Sequence, residues 1–241
     1  MILKSSNHLP LDQFINLCLY NEKFGYYMKK NPFGKKGDFI TAPNISRLFS
    51  EMIAIWIIGF WQSLGSPKKF NLIDLGAGNG EMIKIFLESY QNFPIFLKSC
   101  NIIIHEKSPL LINIQKQKLN KYKISWVSNI NKIKKIPSIF IANEFFDALP
   151  IKQFVKKKGL WFEKFVDLSG EKKSFFEKKI DIKKLEKKIH YQISKKQDFI
   201  EYSELGLKYL KDISKLIKQY TGGLLILDYG YNDKKMKNTL K

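Results

Sequence analysis

Asn71-Leu-Ile-Asp-Leu-Gly-Ala-Gly-Asn-Gly80 decides the fold. With Phe70 before it, the apolar half reads as a buried strand, Phe70–Leu75, and the glycine-rich half as a tight turn. Glu81–Ser89 then carries apolar residues at helical spacing. A strand that turns through glycines straight into a helix is the first unit of a parallel sheet with crossover helices. Further strand-length apolar runs follow at Asn101–His105, Lys123–Val127, Ile139–Ala142 and Leu224–Leu227, with a helical segment at Leu110–Lys118. This alternation predicts a doubly wound α/β architecture with a mostly parallel, Rossmann-like sheet.

Outside that core, residues 9–22 and 44–62 have helical spacing, and Asn31-Pro-Phe-Gly34 and Gly37-Asp38 between them have turn chemistry. The chain therefore divides into a helical N-terminal cap or lid over residues 1–66 and an α/β domain over 67–241. That domain carries an insertion at about residues 151–200, where hairpin-like and Lys/Glu-rich helical text replaces the alternation. The charge run there reads first as a solvated helix face. A helix over Glu204–Tyr220 leads into the last strand.

Composition excludes several classes. The longest apolar run, Met52–Trp61, is ten residues, against the roughly 20 needed to span a bilayer, so no membrane insertion is expected. Asp12, Gln13 and Asn16 interrupt the N-terminal apolar segment, which predicts a cytoplasmic protein without a secretory leader. Cys18 and Cys100 fit neither a disulfide framework nor metal-ligand spacing, and both are expected to be buried, inert thiols. The net charge of +20 suggests nucleic acid, yet Arg47 is the only arginine among the basic residues. Arginine is the side chain best suited to bidentate phosphate and base contacts. An excess of lysine, isoleucine, asparagine and phenylalanine follows from A/T-rich codons alone, and no specific nucleic-acid partner is expected.

The glycine turn has the chemistry of a nucleotide-type site. Gly76, Gly78 and Gly80 permit positive φ and close approach of a ligand to the backbone, at the carboxyl end of the first strand where such sheets bind ligands. The spacing is Gly-x-Gly-x-Gly, which lacks the pyrophosphate fingerprint. Asp74, two residues before the first glycine, can face a cationic group. These features favour S-adenosylmethionine (SAM) over a dinucleotide, with Asp74, Gly76, Ala77, Gly78, Asn79 and Gly80 around it. Glu106, 26 residues after Gly80, is the candidate acid for both ribose hydroxyls, since such acids follow about 20 residues on. Asn129 is either an adenine contact or a turn residue. Asn143 and Glu144 end the fourth strand beside the first, with Asp147 three residues beyond Glu144. These three are the candidate catalytic residues. Glu144 either meets a cationic nitrogen nucleophile or caps the following turn.

Gly25-Tyr-Tyr-Met28, Asn31-Pro-Phe-Gly34, Gly37-Asp-Phe-Ile-Thr-Ala-Pro43, the Asp74–Gly80 loop, Asn143-Glu-Phe-Phe-Asp-Ala-Leu-Pro150 and Asp228-Tyr-Gly-Tyr231 together resemble the MidA-like family. This is the family of the mitochondrial complex I assembly methyltransferase and its bacterial relatives. The resemblance implies a class I SAM-dependent methyltransferase whose acceptor is a protein side-chain nitrogen, arginine in the mitochondrial member, and by analogy a complex I subunit. Members of the family are longer, so the last strands of the sheet are expected to be missing. A non-catalytic assembly or binding protein on the same fold and an RNA methyltransferase are the competing readings. Labelled-methyl transfer to cell lysate separates the first from the enzyme.

Overall fold

A computed structural model describes residues 7–34, 37–39, 41–170 and 172–240. Along the chain the strands and helices are β1 (His8–Pro10), α1 (Leu11–Tyr20), α2 (Tyr26–Lys29), α3 (Ala42–Ile45), α4 (Arg47–Ser63), β2 (Phe70–Leu75), α5 (Glu81–Tyr90), α6 (Pro94–Ser99), β3 (Cys100–His105), α7 (Pro109–Lys118) and β4 (Ile124–Val127). They continue as β5 (Ser138–Asn143), β6 (Lys152–Lys157), β7 (Leu160–Asp167), β8 (Ser174–Ile180), α8 (Ile182–Ile189), β9 (Phe199–Tyr202), α9 (Glu204–Tyr220) and β10 (Gly222–Leu227). Two compact units share the chain: one takes residues up to Leu19, Leu149–Leu207 and Gly230 onward, the other Tyr20–Ala148 and Lys208–Tyr229.

The second unit holds a parallel sheet in the order β10-β5-β2-β3-β4. The chain starts at the central β2, moves outward through β3 and β4, then returns to β2's other side with β5. That reversal leaves a crevice outside the carboxyl ends of β2 and β5, the place where such sheets bind ligands. All six residues of β2 are buried, so it needs apolar side chains on both faces. Phe70, Leu72, Ile104, Ile139 and Ile141 pack with Ala54 and Ile57 of α4 and Ile83 and Phe86 of α5. Each such side chain contributes roughly 1.5–3 kcal/mol on burial. The doubly wound reading holds, and the five strands it named match β2, β3, β4, β5 and β10 to within two residues at each end.

The first unit holds an antiparallel sheet. β8 lies along the whole of β7, while β6 and then β1 share β7's other edge, and β9 pairs β6. Phe154, Trp161 and Ile200 form its core with Ile182 and Leu185 of α8 and with Ile193. Asp181 caps α8 by accepting from the backbone N–H of Lys183 at 3.0 Å. Lys183, Lys184, Lys187 and Lys188 are exposed, so this part of the charge run is a solvated face. Two expectations need correction. Leu9 and Pro10, at the start of the segment expected to be helical, lie in strand β1 instead, because Pro10 cannot supply a helical N–H and helix α1 starts after it. Cys18 is exposed, at the far end of α1 from Leu11, the buried residue of that helix, so it is not the buried thiol expected.

Among the described residues no helix is long and apolar enough to cross a membrane. β10 pairs only β5 and so forms one edge of the parallel sheet, with Ile226 45% exposed. An open edge presents unpaired N–H and C=O groups to other chains, and edge lysines oppose such pairing. Ile226→Lys should therefore reduce self-association in light scattering while changing stability by no more than about 0.5 kcal/mol. Unchanged scattering would show that this edge is not where the chains associate.

Candidate active site

The site begins where β2 ends. Gly76, Gly78 and Gly80 have φ of 72°, 55° and 78°, the left-handed region that other residues enter at a cost of about 1–2 kcal/mol. Space opposes a side chain at Gly76 as well, where a Cβ would lie 2.9 Å from the Phe145 ring, whereas one on Gly80 would meet Gln115 and Leu119 at 3.4 Å, close to ordinary contact. Asn79 accepts from the Glu81 N–H at 3.1 Å and so caps α5. Its amide donates to Asn44 at 3.1 Å. The ring of Phe33 stands over Gly78 and stacks on Tyr27 at 6.2 Å. The Asn31–Gly34 segment therefore sits at the glycine turn. Ile40, within the other N-terminal motif, lies outside the described residues.

A small crevice opens at the turn, walled by Gly76, Ala77, Gly78 and Asn79 on one side and Asn143 and Glu144 on another. The two sequence motifs thus meet in one place. Asn143 is the last residue of β5. Glu144 follows with φ 50°, held by its N–H donating to the Leu227 carbonyl at 2.8 Å. Left-handed backbone in a non-glycine residue is strained, and such strain collects at functional positions.

Asp74 is 1% exposed, and neither carboxylate oxygen has a hydrogen-bond partner among the described residues. Burial, and then the charge of Glu106, push its carboxyl up to about 7. Glu106 follows β3. Its Oε1 accepts from the backbone N–H of Lys107 at 2.8 Å and of Ser108 at 2.9 Å, and its Oε2 accepts from Gln115 at 3.3 Å. Burial raises the Glu106 carboxyl, and these donors act against that rise.

Asp147 lies beyond the crevice walls. Burial, and then Asp228 and Glu144, push its carboxyl up to about 6. Asp228 after β10 accepts from the backbone N–H of Phe146 at 3.0 Å and of Asp147 at 3.3 Å. Asn129 is exposed and caps a short turn, accepting from Asn131 N–H at 2.9 Å. It does not line the crevice.

The sequence reading overlooked two buried groups. His105 ends β3 and is 2% exposed. Its Nδ1 faces the Val127 carbonyl at 3.1 Å and its Nε2 faces the Tyr209 hydroxyl at 2.8 Å. A carbonyl only accepts, so Nδ1 carries the proton and Nε2 accepts from Tyr209. Burial pushes this imidazole down to about 4; it is neutral at pH 7. Gln115 on α7 is fully buried and touches both the glycine turn and Glu106. Its signal was present: Leu111, Gln115 and Leu119 share the inward stripe of α7, and a glutamine there must find polar partners.

The model of a family described as "Putative S-adenosyl-L-methionine-dependent methyltransferase" matches residues 52–241. Among curated proteins the chain is similar to "Protein arginine methyltransferase NDUFAF7, mitochondrial" of Xenopus laevis, 31% identical over 97% of this chain and 59% of the relative. The Homo sapiens protein of that name is 29% identical over 97% of this chain and 58% of its own length. This chain thus spans less than two thirds of these relatives. A crystal structure from Burkholderia thailandensis, bound to S-adenosyl-homocysteine, covers 93% of this chain with TM-score 0.73 and 19% identity, over 59% of that chain; the likeness is one of fold. The curated relatives are named as mitochondrial, which overturns the cytoplasmic placement.

The raised carboxyl of Asp74 has a consequence for stability. A carboxyl whose folded value lies above its unfolded 3.8 contributes stability that is fully present below about pH 4 and is lost as pH rises through about 7. Replacing it with asparagine removes that dependence. Between pH 4 and pH 8 the stability of Asp74→Asn relative to wild type should grow by on the order of 2–4 kcal/mol, read from chemical unfolding at each pH. A difference that stays constant with pH would mean that Asp74 ionises normally in the fold.

Proposed function

The chain belongs to the family of S-adenosyl-L-methionine-dependent methyltransferases whose model it matches, and we propose that its crevice is the methyl-donor site of a protein methyltransferase. The observation that carries the reading is Asp74: a buried carboxylate with no hydrogen-bond partner among the described residues, two residues before the first of three left-handed glycines. An unpaired buried charge is costly and calls for a cation or a proton. SAM presents a cationic amino and sulfonium end, which fits Asp74, and a ribose whose hydroxyls fit the acceptor capacity left on Glu106. Gly76, Ala77, Gly78, Asn79 and Gly80 supply the close backbone approach. Asn129 is kept in this reading as an adenine contact only through its position after β4. When bound, SAM supplies a methyl group on a sulfonium, which departs as a neutral thioether.

The chain's own residues then orient the acceptor. Asn143 and Glu144 share the crevice with the glycine turn, so a nucleophile held by Glu144 lies beside the methyl donor. Catalysis on this arrangement is mostly positioning. Asp147 lies outside the crevice walls and is kept in this reading as an acceptor-side residue through its place three residues after Glu144. The names of the relatives favour a protein arginine as the acceptor, and the MidA-like resemblance makes a complex I subunit the first candidate to try. The N-terminal segment, through Phe33 and Asn44, acts as a cap on the glycine turn.

Calorimetry and labelled-methyl transfer test the reading together. S-adenosyl-homocysteine should bind and NAD should not, and Glu106→Ala should weaken binding by roughly 1–3 kcal/mol as a hydrogen bond to a charged group is lost. Glu144→Gln should slow transfer to a protein acceptor by on the order of tenfold or more while cofactor affinity stays near wild type. NAD binding without any response to S-adenosyl-homocysteine would overturn the donor-site assignment. Cofactor binding without transfer to any protein would leave a scaffold and not an enzyme.

A further inference from the structure

We propose that Gln115 is a positioning residue that locks the glycine turn and Glu106 into one rigid frame, so that the two ends of the cofactor site are set together. The inference rests on the reading of the crevice as a SAM site. Gln115 Nε2 donates to the Gly78 carbonyl at 2.8 Å and to Glu106 Oε2 at 3.3 Å. Its Oε1 accepts from the indole N–H of Trp126 at 2.9 Å. Gly78 carbonyl and Glu106 carboxylate can only accept and the indole can only donate, so the carboxamide has one orientation that satisfies all three.

The backbone geometry supports the same role. A Cβ on Gly80 would come within 3.4 Å of Gln115 Cγ and 3.7 Å of its Cα, so α7 packs alongside the turn. Ser108 caps α7 by accepting from Leu111 N–H at 3.2 Å, while its own N–H holds Glu106 Oε1. Glu106 is thus gripped by the start of α7 on one oxygen and by Gln115, two helical turns further on, on the other. Both donors favour the charged carboxylate against the burial that opposes it. A carboxylate left free to rotate would hold a ribose less well, because orientation is part of binding.

The test uses two variants of nearly unchanged size, Gln115→Glu and Gln115→Met. Gln115→Glu keeps the shape but loses both N–H donors, and Gln115→Met keeps the volume without polar atoms. S-adenosyl-homocysteine affinity should fall tenfold or more in each, and amide hydrogen exchange of the ligand-free protein should quicken at residues 76–80 and 106–108. A side chain that merely fills space would leave Gln115→Glu or Gln115→Met binding within about twofold of wild type, and that result overturns the proposal. If one variant does not unfold cooperatively, the other carries the measurement. Wild type failing to bind S-adenosyl-homocysteine would sink the donor-site reading itself, and the exchange rates at 76–80 and 106–108 would still decide whether Gln115 orders the frame.

Discussion

The unpaired carboxylate of Asp74 is the constraint around which the rest of this unit is arranged. It sits at the carboxyl end of a strand buried on both faces, where water cannot solvate it and no side chain neutralises it. Such a group costs several kcal/mol when charged, a cost the fold tolerates only where the surrounding structure is strongly determined. Here that determination comes from β3 and β5 on either side of β2 and from the aliphatic core shared with α4 and α5. The strand cannot shift to relieve the charge, and the glycine turn that follows is fixed in turn.

Two acids that raise each other's cost lie at neighbouring strand ends. Asp74 feels the charge of Glu106, yet the two are treated differently by the backbone. Glu106 is met by two N–H groups and an amide, and Asp74 by none. The donors around Glu106 favour its charged form against the burial that raises it, whereas Asp74 meets burial and the charge of Glu106 with no donor among the described residues.

The parallel sheet was legible because its strands are buried on both faces and read as short, mostly apolar runs, unbroken in Ile139–Ala142 and interrupted only by Asn71 and Asp74 in Phe70–Leu75. The glycine turn was legible because positive φ demands glycine. The antiparallel unit was legible only as hairpin-like text, since the adjacent lysines of β6 and β8 merge into a lysine-rich stretch, and the pairing of β7 with His8–Pro10 spans most of the chain. The flanking Lys116 and Lys118 masked the inward stripe on which Gln115 lies and made it look like part of a solvated face. Neither the strained backbone of Glu144 nor the proton distribution of His105 has a local sequence signal. Both arise from partners, Leu227 and Tyr209, that only the fold brings near.

Net charge misleads about the site for a related reason. The chain carries +20 overall, but charges farther than about 10 Å through water are largely screened at physiological salt. Local groups decide the potential instead. Asp74 and Glu106 stand behind the glycine turn, and Glu144, Asp147 and Asp228 gather where β5 and β10 end, close enough that Asp228 and Glu144 raise the carboxyl of Asp147. Among the described residues Glu81 and Glu144 line the crevice and no lysine does, so its nearest charges are acidic in a strongly basic protein. A lysine excess spread over solvated helix faces therefore says little about the charge at the crevice.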